Sequence, residues 1–226
     1  IRIIHGRSMC PNCRRQLTWY ENIPVLSYLF LWGKCRTCRK PIPYHFTFVE
    51  VGTALLFVFI AWKNINSPVI IPAHFFRDIV FSILLIIIFV YDLLYQEILP
   101  EVIWFGVAAG LAFNLYLGMS VWAMLFGALA AGGFFFFQFA VSKGKWIGGG
   151  DVRLGAMIGI WLGWPLILVA LIIAYFVGAI ASLFLLILKK KTLASATPFG
   201  TYLALGTFMA MFWGQQIMQW YIKLLM

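Results

Sequence analysis

The chain has 226 residues, 63% hydrophobic and 11% charged. Soluble globular domains carry about 45–50% apolar and about 25% charged residues, so the composition is that of an integral membrane protein. Aromatics at 18% exclude a disordered chain, and the net charge of +10 does not by itself argue for a nucleic-acid partner. Cations crowded beside apolar spans mark the cytoplasmic side of a bilayer, and no nucleic-acid partner is expected.

In chain order, residues 1–46 form a polar head that holds eight of the 17 Lys/Arg, one of the seven acids and all four cysteines. The cysteines read Cys10-Pro-Asn-Cys13, then 21 residues, then Cys35-Arg-Thr-Cys38. Two C-x2-C knuckles at this separation predict a tetrathiolate Zn2+ site. A reducing cytosol favours thiolate–metal bonds over disulfides, and a shell closed by four sulfurs makes the metal structural. The alternative is four incidental buried cysteines, which fits poorly with paired spacing in a head too small for its own core.

From Thr47 the chain turns apolar, with stretches at about 48–62, 73–91, 102–118, 121–141, 155–164, 165–188 and 198–222. The break at Gly163-Trp164-Pro165 divides a run too long for one span. If the head is cytosolic and the segments alternate, 14 Lys/Arg lie inside and three (Lys63, Arg77 and Lys223) outside. Lys189–Lys191 then anchor a cytosolic loop beside acidic headgroups. Trp104, Trp122, Trp161, Trp164, Trp213 and Trp220 fall near span ends and predict an interfacial belt. The expected fold is an all-α polytopic membrane protein with about seven transmembrane helices (47–226) behind a cytosolic zinc-knuckle domain (1–46).

Seven carboxylates exist, and those at the ends of apolar helices need a reason. Asp92 ends the stretch Phe75–Tyr91, and Asp151 follows Gly148-Gly149-Gly150. In the expected topology both lie at the cytoplasmic boundary. Two carboxyls brought together share a proton, and such a pair can activate a water and protonate an amide leaving group. Gly148 and Gly150, lacking a β-carbon, would let an extended substrate backbone come close to Asp151. The plainer alternative is that Asp151 caps a helix while Asp92 is merely interfacial.

Together these residues resemble the type IV prepilin leader peptidases, membrane aspartic proteases with a G-x-G-D motif. The likeness runs through Cys10–Cys13, Trp19-Tyr-Glu-Asn-Ile-Pro24, Ser27, Gly33–Ile42, Asp92 with Ile98-Leu99-Pro100-Glu101, and Gly148-Gly-Gly-Asp151-Val-Arg-Leu154. It implies cleavage, after a Gly, of the short basic leader of prepilins or pseudopilins at the cytoplasmic face of the bacterial inner membrane. It also implies S-adenosylmethionine-dependent N-methylation of the new terminus, commonly Phe. Asp92 and Asp151 correspond to the catalytic aspartates, and Glu50 is a candidate for the methyl-transfer site. The family carries a further transmembrane helix ahead of the head; Ile1–Ser8 look like the tail of its linker. Glu101 stands where the family usually has Asp, and Phe46-Thr47 where it has Tyr-Pro. Because the head is basic too, a basic leader would be drawn by the local acids Asp92, Glu97, Glu101 and Asp151. Two other readings stay open: a methyltransferase with structural aspartates, and a small transporter using Asp92 and Asp151 as proton relays.

Overall fold

A computed structural model describes residues 8–66, 72–188 and 198–225. It is helical, and its chain divides into two compact units, Ile1–Pro68 and Val69–Met226. The Lys189–Lys191 anchor lies outside the described residues.

The first unit holds two knuckles of matching build. Cys10 N–H donates to the Arg15 carbonyl and Arg14 N–H to the Cys10 carbonyl; Cys35 with Lys40 and Arg39 with Cys35 repeat this pattern, all at 2.9–3.0 Å. Arg14 and Arg39 take the same left-handed backbone, φ 54° and 53°. Between the knuckles come a 3-10 turn at Trp19–Asn22 and a short helix α1, Leu26–Phe30; α2, Tyr44–Ile65, follows. Glu21 organises this segment. Its Oε2 accepts the Thr18 N–H and hydroxyl, both at 2.8 Å, and its Oε1 takes the Arg15 guanidinium at 2.5 Å.

The second unit contains α3 (Pro72–Tyr95), α4 (Pro100–Tyr116), α5 (Val121–Ser142), α6 (Gly149–Leu162), α7 (Leu166–Ile187) and α8 (Phe199–Leu225). Each predicted apolar stretch is thus one helix, α2 to α8. Among the described residues, α2, α3, α5 and α7 are long and apolar enough to cross a membrane. Helices α4 and α6 are shorter, 17 and 14 residues. Helix α8 has 27 residues, with Gln215, Gln216, Gln219 and Lys223 in its second half.

Helix α6 packs along α5 and against α4, while α8 packs along α7 and against α3. Small residues set the α5–α6 spacing: a Cβ on Gly127 would stand 2.4 Å from the Gly159 carbonyl oxygen, and one on Gly159 2.3 Å from that of Gly127. Trp161 departs from the expected interfacial belt. It is 3% exposed, stacks on Phe81 at 4.3 Å and donates its indole N–H to the Gly106 carbonyl at 2.7 Å. A buried indole with a satisfied N–H belongs to the core, and here it ties α6 to α3 and α4. Asn114 adds to that tie through the Ile160 and Trp161 carbonyls, at 2.8 and 3.0 Å. Arg77 and Asp78 pair with each other at 2.8 Å.

Candidate active site

Asp92 lies one turn before the end of α3 and is 5% exposed. The helix ends where Gln96 turns left-handed, φ 55°, its N–H reaching the Asp92 carbonyl at 2.9 Å. Residues 97–99 lead into α4, whose first residue is Pro100, a position where the missing N–H costs nothing. The carboxylate of Asp92 is held by the start of α8: its Oδ2 accepts the Thr201 N–H at 2.6 Å and the Thr201 hydroxyl at 3.0 Å.

Asp151 is the third residue of α6. Its Oδ2 accepts the Gly148 N–H at 3.1 Å, so it does cap its own helix. It also lines a cavity of about 470 Å³ that Asp92 lines too. Capping and lining a cavity shared with Asp92 are therefore compatible roles for one carboxylate. The same cavity is walled by Glu97, Ile98, Lys145, Gly148–Gly150 and Arg153. Glu101, in the first turn of α4, is not among its lining residues.

The glycines before Asp151 differ in what surrounds them. A Cβ on Gly149 would meet nothing within 4 Å, and one on Gly148 would make ordinary contact with Asp151 at 3.6 Å. One on Gly150 would crowd Ile98 at 3.2 Å. The same Ile98 lies 3.3 Å from where a Cβ on Gly200 would be, so one side chain sits between the starts of α6 and α8. Ile98 in this role, Gly200 and Thr201 are features the sequence reading missed. Pro198-Phe199-Gly200-Thr201 opens an apolar stretch, and nothing in its hydropathy distinguishes it. The cue is a glycine and a hydroxyl at a helix start, after a proline.

The remaining expected site residues lie in the first unit. The four cysteine Sγ atoms are all within 4.8 Å of one another, with Cys10 and Cys38 3.9 Å apart. Zinc–sulfur bonds of about 2.3 Å in a tetrahedron put sulfurs about 3.8 Å apart, so the donor set fits. The backbone N–H groups of Cys38 and Thr37 hold the Cys35 thiol down to about 6, and those of Cys13 and Asn12 lower Cys10 in the same way. These two shifts favour thiolates, whereas Cys38, despite the lowering Lys40 N–H, is pushed up to about 11 by burial and the neighbouring thiols. Glu50, on α2, accepts the Val25 N–H at 2.7 Å, securing a turn in which Val25 has φ 61°. It lines a separate cavity of about 340 Å³ with Asn12, Tyr28 and Phe46.

Comparison with known proteins agrees with this division. Residues 1–64 match the bacterial peptidase A24 N-terminal domain, and residues 79–183 match the type IV leader peptidase family. A prepilin leader peptidase/N-methyltransferase of Aeromonas hydrophila is 34% identical, covering 96% of this chain and 74% of the relative. Its namesake in Pseudomonas putida is 33% identical over 93% and 73%, and that of Bacillus subtilis 34% over 99% and 88%. No solved structure matches. With both parts matched and relatives of this identity aligned along nearly its whole length, the chain belongs to the type IV leader peptidase family.

Proposed function

We propose that this protein is a bacterial inner-membrane prepilin leader peptidase and N-methyltransferase, cutting prepilin or pseudopilin leaders by means of Asp92 and Asp151. The observation that carries the reading is the meeting of two carboxylates, 59 positions apart in sequence, at one cavity. One carboxylate accepts a proton from a water as its oxygen attacks the scissile carbonyl carbon. The other gives its proton to the departing amide nitrogen, so that the C–N bond breaks to a carboxylic acid and an amine. Which aspartate is acid and which is base belongs to the coupled pair. The open space at Gly148 and Gly149 suits an extended backbone lying against Asp151, and Glu97 suits a cation of the leader.

In this reading α2 to α8 are the seven transmembrane helices, and residues 47–226 form the peptidase. The head, 1–46, and the Asp pair face the cytosol, as the distribution of Lys and Arg favours. Cys10, Cys13, Cys35 and Cys38 hold a structural Zn2+, which supplies crosslinking and no chemistry. S-adenosylmethionine, when bound, supplies an electrophilic methyl group to the new terminal amine. Glu50, which lines the cavity of the first unit with Tyr28 and Phe46, would be the candidate to hold it there.

The test is co-expression with a candidate prepilin, followed by mass analysis of the product's N-terminus, which reports cutting position and methylation together. Asp92→Asn and Asp151→Asn are each expected to abolish cleavage. Cleavage surviving in either variant overturns the pair mechanism. A transporter would leave the prepilin uncut even with the native chain.

A further inference from the structure

Among the described residues, both donors that reach Asp92 come from one residue and end on one oxygen. The Thr201 N–H lies 2.6 Å and its hydroxyl 3.0 Å from Oδ2, across 109 positions of sequence. A backbone N–H can only donate, so Oδ2 is fixed as an acceptor. The hydroxyl has a second acceptor nearby, the Phe89 carbonyl at 3.5 Å, but its single hydrogen goes to the closer, charged partner. Thr201 is 4% exposed, so water does not compete for these bonds. Gly200 makes the approach possible: a Cβ there would stand 3.0 Å from Oδ2 and 3.1 Å from the carboxyl carbon, and any larger residue would push the carboxylate aside.

We propose that Thr201 is the positioning residue of Asp92, engaging Oδ2 with both donors so that proton exchange with the attacking water passes through Oδ1. The inference rests on the aspartate-pair reading. Asp151 shows the same division with a single donor, its Oδ2 taken by the Gly148 N–H. Each carboxylate therefore has one oxygen held by a helix start and one left for chemistry, and Asp92, with a hydroxyl in addition, is the more firmly held. Thr201 does not touch substrate. It acts by fixing the rotation of the Asp92 carboxylate.

The experiment measures kcat and KM for prepilin cleavage by the full chain in detergent or vesicles, with thermal midpoints recorded for each variant. Thr201→Ser keeps the hydroxyl and is expected to cleave at close to the native rate. Thr201→Val and Thr201→Ala remove it and are expected to lower kcat about ten- to a hundredfold, as loss of a hydrogen bond to a charged group does, with KM nearly unchanged. Having both covers the case in which one does not fold. Native kcat in the Val or Ala variant overturns the proposal, as does a Ser variant as slow as either, or a loss confined to KM. Asp92→Asn, run alongside, separates the two levels. If it cleaves, the pair reading fails; if it is inactive while Thr201→Val is native-like, only the role of Thr201 fails.

Discussion

Glu21 and Asp92 are both carboxylates that are almost fully buried, yet their partners put them to different uses. Among the described residues, the hydrogen-bond partners of Asp92 are the N–H and O–H of Thr201, with no cation. Glu21 is neutralised. Burial alone would push its carboxyl up, but the Thr18 N–H, the Arg15 guanidinium and the Thr18 hydroxyl outweigh that and hold it at about 2. An unfolded glutamate titrates at about 4.3. The stabilisation is therefore complete above that value and is lost as pH falls through about 2. Glu21→Gln should lower the stability of the head at neutral pH by about 1 kcal/mol, because Arg15 is partly exposed and recovers some hydration. It should also flatten the acid dependence of thermal unfolding in the full chain. A variant melting like the native protein at both neutral and acid pH would remove Glu21 from the account. At this scale the cysteines, Asp92 and Asp151 were legible from residue type and spacing. Thr201 was not, because a hydroxyl in an apolar run shows its partner only once the chain is folded.

The helices explain how the carboxylates are tolerated where they are. Asp92 sits in the last turn of α3, the negative end of a helix, where an anion is disfavoured. The first turn of α8 meets it with the opposite end of another helix. Asp151, in the first turn of α6, needs no such help. Placement of α6 depends in turn on its close approach to α5. Gly159→Ala would put a methyl group onto the Gly127 backbone, which cannot swing away as a side chain does. It is expected to cost about 1–3 kcal/mol and to lower the thermal midpoint and cleavage together. Gly133→Ala, on the same α5 but with nothing within 4 Å of the new methyl, should melt at or slightly above the native temperature. Equal midpoints for the two would show that the α5–α6 spacing is not set by these glycines. Hydropathy and the Gly163–Pro165 break located a helix for each of the seven stretches, though α6 starts six residues early and, among the described residues, four of the seven are long and apolar enough to cross a membrane. It misassigned Trp161, because closeness to a helix end cannot say whether an indole faces lipid or a neighbouring helix.

At the scale of the whole molecule, both aspartates and all the donors to them lie in Val69–Met226, whereas the cysteines, Glu21 and Glu50 lie in Ile1–Pro68. If the cysteines hold Zn2+ and methyl transfer occurs in the first unit, as proposed, a strong chelator should abolish methylation while leaving most leader cleavage, both read from one mass spectrum. Cleavage lost in step with methylation would mean that the second unit depends on the metal-bound head. Ile98 extends the element-scale picture to the entire second unit. Its side chain would crowd a β-carbon on Gly150, at the start of α6, and one on Gly200, at the start of α8, and each of those starts holds one of the two carboxylates. In the loop after α3, one aliphatic side chain thus fills the room that a β-carbon at either helix start would need.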